Sequence, residues 1–295
     1  EPYRRQRQMC IRDRFNTLQH TTTRFDTIVD KNRSLKISLG NQFIPAMSYT
    51  FTYDNAPLKK RNNLWWETSF TSAGNLTSLV YAAFGKGFKE TDKKLLNSPY
   101  AQFLKMTSEV RCLFKVGEKQ HIATRLMGGI LYAYGNQTVA PYSEQFYIGG
   151  ANSIRAFTVR SIGPGSYRPE DKQYGYLDET GDVKLEANVE YRFPILGDLY
   201  GAAFLDAGNV WLLREQKNEE GENIRPGGLL TLRNFAKSVA LGTGVGLRYD
   251  LTFLVIRLDL GIALHDPYDT GKKGYYNIPK FKDGLGLHFA IGYPF

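Results

Sequence analysis

No run of eighteen apolar residues occurs in this 295-residue chain, which excludes a helical membrane span. There are only two cysteines, Cys10 and Cys112, which make neither a disulfide framework nor a metal spacing. The four histidines, His20, His121, His265 and His288, are scattered over different strand and loop patterns, so no zinc-type cluster is spelled out. No nucleophile elbow appears, and the phosphate-loop-like spacing GTGVG at Gly242–Gly246 lies inside a strand pattern, without the turn and helix such a loop needs. The expectation is a non-enzyme with no cofactor and no metal. A formal charge of +9 invites nucleic acid as a partner, but Lys and Arg form no basic stripe and are interleaved with no stacking motif. They are better read as loop and lumen residues, with no nucleic acid bound. The segment 1–14 lacks the apolar core of a signal peptide and any periodicity, and carries Arg at 4, 5, 7, 12 and 14. It is expected to be non-native or disordered, and 15–42 to be a loop carrying a short helix.

What the chain does have, from Phe43 onward, is a two-residue period. Met47, Tyr49, Phe51 and Tyr53 alternate with Ser48, Thr50, Thr52 and Asp54, and Trp66, Thr68 and Phe70 with Glu67, Ser69 and Thr71. The pattern continues through Leu104–Val116 and Ile122–Tyr134. It is cleanest in the next segment, where Val183, Leu185, Val189, Tyr191 and Phe193 oppose Lys184, Glu186, Asn188, Glu190 and Arg192. Tyr200–Val210 is apolar on both parities except for Asp206; Val239–Tyr249, Leu254–Leu264 and Leu285–Phe295 complete nine strands. Each is about the nine to eleven residues that a tilted strand needs to cross a bilayer. A soluble sandwich also alternates, but its strands are usually shorter, about five or six residues. Connections here alternate short and long, with long ones at 72–100, 135–182, 212–237 and 266–284, as in outer-membrane barrels. The fold class expected is all-β, an antiparallel transmembrane β-barrel over 43–295. Tyr49, Phe51, Tyr53, Tyr132, Tyr134, Tyr191, Phe193 and Tyr293 lie toward strand ends on the apolar parity, where girdle residues belong.

The stretch that organises the rest is Gly149–Tyr167, GGANSIRAFTVRSIGPGSY, within the long connection 135–182. Compact domains rarely carry a connection that long without a task for it. Gly149 and Gly150 permit tight folding back, while Ile154, Phe157, Val159 and Ile162 are poorly placed in water, so the loop is expected to pack inward. GGANSIRAFTVRSIGP resembles the signature loop of BamA/TamA-type outer-membrane assembly factors, the bacterial surface antigen superfamily, with Ala156 where that family usually has Gly. VEYRFPI, FLDAGNVW, GVGLRYD and the terminal aromatic extend the resemblance over Phe43–Phe295.

By resemblance, family barrels have sixteen strands with this loop between the eleventh and twelfth, so the nine strands correspond to the eighth through sixteenth. The implied function is assembly and insertion of client β-barrel proteins in the outer membrane of Gram-negative bacteria. Its partners would be unfolded clients, the lipid bilayer, and periplasmic or inner-membrane assembly partners reached through amino-terminal repeats. A two-partner-secretion exporter or passive pore is the alternative that shares the loop. In the family the motif arginine docks onto acids of the two strands after the loop. Carried over residue by residue, the docking set is Gly149, Gly150, Ile154, Arg155, Ala156 and Phe157 against Glu190 and Asp206, with looser docking expected from the extra methyl of Ala156. The two acids could also make a hydrolytic pair, but with Arg155 beside them an ion cluster is the stronger reading. Gly286, Phe289, Gly292, Tyr293 and Phe295 mark the closing strand and targeting signal, whose inward glycines are expected to leave that edge weakly packed.

Overall fold

The computed structural model describes residues 4–16, 22–23, 26–27, 39–58, 61–85, 87–88, 90–91, 93–95, 98–169, 179–217 and 221–295. Most of the expected loop at 15–42 lies outside them. The alternating segments form one antiparallel ten-stranded sheet. Its strands are β1 (Arg4–Asn16), β2 (Gln42–Asp54), β3 (Asn62–Ala73), β6 (Phe103–Lys115), β7 (His121–Ala133), β8 (Val183–Leu196), β9 (Leu199–Trp211), β10 (Ala240–Asp250), β11 (Val255–His265) and β12 (Leu285–Ile291), paired in that order. A separate two-residue ladder, β4 (Lys94–Leu95) with β5 (Ser98–Pro99), decorates the β3–β6 connection together with helix α1 (Asn75–Ala83). A second, short helix α2 (Phe235–Ser238) precedes β10. No helix among the described residues is long and apolar enough to cross a membrane.

All nine expected strands are present, and β1 is a tenth that the sequence reading did not place. It is correctly aperiodic in hydropathy, yet it pairs with β2 from Arg4–Asp54 to Asn16–Gln42. The reason is that β2 is otherwise an edge, and an edge offers a row of backbone donors and acceptors to any extended segment whatever its side chains. The last strand is shorter than expected. It ends at Ile291 because Gly292 turns at φ 86, a left-handed conformation that breaks the two-residue parity.

Faces sort as the period requires. In β8, Lys184, Glu186, Asn188, Glu190 and Arg192 are all buried, while Leu185, Val189 and Tyr191 are exposed on the outside. A soluble sheet hides its aliphatic face; this one hides its charges. The outward side of neighbouring strands is lined by Tyr49, Trp66, Phe70, Met106, Leu126, Ile130, Leu247 and Leu260. Of the expected girdle residues, Tyr49, Tyr132 and Tyr191 are exposed on this outward side. Phe51, Tyr53, Tyr134 and Phe193 are half-buried among their neighbours, as in the Phe51–Trp66 edge contact at 5.5 Å, whereas Tyr293 does not keep the outward parity expected of it, because the turn at Gly292 lays its ring against the inward Arg192.

The core lies on the inner side, between the sheet and the long connection. Ile148, Ile154 and Ile162 of the loop pack with Phe103, Leu131, Val210 and Ala240 of the strands. The loop backbone is tied to the strand ends as well. Phe146 and Gly181 exchange both backbone hydrogen bonds, and the Gly165 N–H donates to the Val210 carbonyl at 2.7 Å.

Candidate functional site

The tip of the inward loop is held by residues whose positions follow from strand parity. β8 and β9 pair with Asn188 opposite Asp206, so inward side chains of the two strands meet over one point. Two left-handed glycines, Gly149 (φ 97) and Gly150 (φ 92), fold the loop back on itself. A Cβ at Gly149 would stand 2.1 Å from the Thr158 carbonyl oxygen, so no side chain fits there. The Gly150 N–H donates to the Phe157 carbonyl at 2.8 Å, closing the turn that presents Arg155.

Arg155 is fully buried. Its backbone N–H reaches Asp206 Oδ2 at 3.1 Å, its Nε the same oxygen at 2.8 Å, and its Nη2 reaches Oδ1 at 2.9 Å, a forked pairing. Nη1 donates to Glu190. The guanidinium lies 3.5 Å from the centre of the Phe204 ring, which covers it from the β9 side. Asn188 Nδ2 bridges Asp206 Oδ1 at 2.9 Å and the Ser153 carbonyl at 3.0 Å, and Ser153 Oγ donates to Glu186 at 2.8 Å.

Around this core the charges continue across the sheet. Glu190 also accepts from Arg192 Nε at 2.7 Å and from Arg248 Nη2 at 3.0 Å. Arg248 Nη1 lies 2.6 Å from Asp259, which also faces Arg257 Nε at 3.5 Å and Arg155 Nη1 at 3.9 Å. Four guanidinium groups therefore share three carboxylates. Arg248 and Arg257 stand directly opposite each other in the β10–β11 register, a like-charge pair offset by Asp259 between them and by Glu190 on the Arg248 side. Asn152 and Ser153 complete the seat: Arg125 donates to the Asn152 carbonyl at 2.8 Å and Arg257 to its side chain at 2.5 Å. At the root of the loop, burial pushes the Asp182 carboxyl above its usual range, opposed by the Leu213 N–H at 3.1 Å and by Arg225 and Arg214.

The loop backbone rests on glycines. At Gly261 a Cβ would fall 2.2 Å from the Arg155 carbonyl oxygen, and at Gly286 3.0 Å from the same atom. At Gly242 it would fall 2.5 Å from the Ala156 Cβ. The Ala156 methyl thus points into the space left by Gly242 and packs with Ala263 and Ile278, and it does not hold the loop off its carboxylates. The expected looseness of docking is absent. Gly286 is likewise no empty patch on β12; the loop fills it.

The sequence reading therefore placed Arg155, Glu190 and Asp206 in one cluster, and the structure brings them together. It did not assign Asn188, Arg192, Arg248, Arg257, Asp259, Gly242 or Gly261 to the site. All lie on inward parity, but only Asn188 and Arg192 flank a chosen residue along the strand, and of the others only Gly242 and Gly261 oppose one across a ladder, so parity alone did not single out Arg248, Arg257 or Asp259. The closing-strand set divides: Gly286 touches the loop, Phe289 points outward, and Gly292 turns the chain so that Tyr293 and Phe295 meet Arg192. The Arg192 guanidinium lies 4.2 Å from the Tyr293 ring and 5.9 Å from the Phe295 ring, and its Nη2 is 3.4 Å from the Phe295 carbonyl. Glu190 and Asp206 are committed to guanidinium partners, which fits an ion cluster and leaves no free pair for hydrolysis. Among the described residues no group of three or more His, Cys, Asp or Glu is placed to hold a metal.

An antiparallel sheet with an aliphatic and aromatic outside, a charged inside and a loop locked within it is the wall of a membrane-spanning β-barrel. The chain belongs to the Omp85 superfamily, whose domain model matches residues 16–295. It is 32% identical over 88 residues to the outer membrane protein assembly factor BamA of Neisseria meningitidis, covering 28% of this chain and 11% of that protein. It is 30% identical over 148 residues to the sorting and assembly machinery component 50 homolog B of Xenopus laevis, covering 49% of this chain and 29% of that protein. The chain thus spans less than a third of the length of these relatives. Among solved structures it is similar to BamA from Haemophilus ducreyi lacking POTRA domains 1–3, at TM-score 0.44 and 15% identity, over 86% of this chain and 56% of that one. It is also similar to CdiB from Escherichia coli, at TM-score 0.47 and 16% identity, over 85% and 37%. The protein is an integral β-barrel of the outer membrane.

Proposed function

We propose that this chain is the barrel part of an outer-membrane assembly factor that folds and inserts client β-barrel proteins, acting without catalysis. The observation that carries the reading is the reach of the loop. Its arginine is pinned to β8 and β9, while the carbonyl of that same arginine packs against the glycines of β11 and β12. The lock therefore extends from the wall to the strand at the sheet's edge. An edge strand in lipid leaves backbone groups unsatisfied at a cost of several kcal/mol each, so an incoming client strand that pairs with it is strongly favoured. In this reading 43–295 is the working barrel, 135–182 its signature loop, and Leu285–Phe295 the closing strand and targeting segment. The loop occupies the lumen, which favours an assembly factor over a passive pore. Clients, bilayer and periplasmic partners are the expected company, and the scattered basic residues speak against nucleic acid.

Depletion of the full-length gene tests this. Folded, heat-modifiable outer-membrane barrels should fall in the membrane fraction while unfolded forms accumulate in the periplasm. Unchanged client barrels, together with a single secreted protein trapped in the periplasm, would replace this reading with that of an exporter.

A further inference from the structure

Helix α1 is built inside out. It buries Ser78, and its protein-facing side rests on Tyr100: Ser78 Oγ lies 2.7 Å from the Tyr100 hydroxyl, and Tyr81 stacks on that ring at 6.3 Å. Its free side carries Leu76, Leu79, Val80 and Phe84, with exposures of 65%, 60%, 52% and 82%. Spacings of three, one and four residues put these side chains on a single stripe. A helix at a water-exposed surface turns its aliphatic stripe inward and its hydroxyls out; α1 does the reverse, and no charged residue occurs from Asn75 to Phe84.

The position of the helix identifies what covers that stripe. Asn75, its first residue, donates from Nδ2 to Ser72 Oγ at 2.8 Å and accepts from the Tyr134 hydroxyl at 2.7 Å. Ser72 lies on the outward parity of β3, in line with Trp66 and Phe70, and Tyr134 continues the outward parity of Tyr132 just past β7. The helix is therefore fastened to the rim of the lipid-facing surface, and its stripe continues that surface at the long-loop end of the strands.

We propose that α1 is an interfacial helix that lies in the outer leaflet beside β3 and β7, with Leu76, Leu79, Val80 and Phe84 inserted among the acyl chains. Such a helix fixes the depth of this side of the barrel through buried apolar area. The proposal concerns a lipid contact and does not depend on what the barrel assembles.

The test uses the full-length protein with Cys10→Ser and Cys112→Ser, reconstituted into vesicles of phosphatidylcholine and phosphatidylglycerol and spin-labelled at Leu79→Cys. Leu126→Cys, outward on β7, serves as the acyl-chain reference, and Lys119→Cys, in the β6–β7 turn, as the aqueous reference. The oxygen-to-nickel-chelate collision ratio at position 79 should lie clearly above that at 119 and below that at the mid-strand position 126, because an interfacial helix sinks its apolar side chains about 5–10 Å into the headgroup/acyl boundary. A ratio at position 79 matching that at 119 in the inserted protein overturns the proposal. So does protection that appears only when an unfolded barrel client is added, because the stripe would then serve a protein partner.

Discussion

Strands β8–β11 and the terminal strand β12 belong to the same sheet but are held by different means. β8 runs fourteen residues and carries on its inner side Glu190, which accepts from Arg155, and Asn188, which holds the Asp206 carboxylate that the same arginine forks onto. β12 runs seven, has Gly286, His288 and Ala290 on its inner side, and among the described residues pairs with β11 alone. The outer residues show the same contrast: Leu287 of β12 is 69% exposed, against 38% for Leu260 of β11, which has a strand on either side. The wall is fixed by charge pairs buried in the lumen, and the edge by one ladder and by the loop backbone lying over it. A substitution in the cluster should therefore act on stability, and one near the edge on mobility.

The largest effect is expected at Glu190, the acceptor shared by Arg155, Arg192 and Arg248. Glu190→Ala leaves three buried guanidinium groups short of a partner, and removing one member of a buried charge cluster costs about 3–5 kcal/mol. The temperature at which the folded band is lost on gels should drop steeply, with a smaller drop for Asp206→Asn, which keeps an acceptor for the Arg155 fork. Arg155→Ala should impair client assembly far more than Arg160→Ala, since Arg160 is stacked between Tyr142 and Tyr147 outside the cluster. Equal losses at 155 and 160 would remove the distinction between wall and periphery.

Next in size is Gly261→Val. Its side chain would enter the space of the Arg155 carbonyl, and overpacking of this kind typically costs about 1–3 kcal/mol. The variant keeps every charge, so it separates the fit of the loop backbone from the ion cluster. A loop that is protease-resistant in Gly261→Val and cleaved in Glu190→Ala would show that charge alone sets docking.

Arg192 joins the two regions, because it donates to Glu190 and stacks on Tyr293 and Phe295. Arg192→Gln keeps an amide donor within reach of Glu190 and should lower stability by less than the about 1.5–3 kcal/mol that a hydrogen bond to a charged group is worth. It should markedly raise hydrogen exchange and label mobility over 292–295. A terminal segment as ordered in Arg192→Gln as in the parent chain would uncouple the edge from the wall.

What could be read in the sequence follows the same division. The wall is legible because each β8 residue answers to one parity, so Glu190 and Arg192 announce their side before any contact is known. The partners of Glu190 are harder: Arg248 sits fifty-eight residues away in sequence, and its arrival depends on the register of β9 with β10, which hydropathy does not specify. β1 escaped because Arg7, Met9, Ile11 and Arg12 give no clean period, and backbone pairing along an edge does not require one. The turn at Gly292 escaped because a glycine in a strand pattern does not say whether its φ is positive. Helix α1 escaped because 72–100 shows no two-residue alternation and reads only as a long connection, and a stripe of Leu76, Leu79 and Val80 is too short to mark a helix by itself.

The smallest effect is expected at Ala156, where the family resemblance favours glycine. Its methyl fills the hollow above Gly242 and touches the small cluster of Ala263 and Ile278, and its φ is not in the left-handed region where glycine is needed. Ala156→Gly removes that packing and gives the unfolded chain more freedom, a loss of about 0.4–1 kcal/mol. The Arg155 bonds to Asp206 and Glu190 should survive, because they depend on the Gly149–Gly150 turn and on strand register. The result to look for is a slightly lower unfolding temperature with unchanged client assembly. A gain in stability would mean that the methyl strains the loop, and that this chain docks its arginine against resistance which a glycine at 156 would relieve.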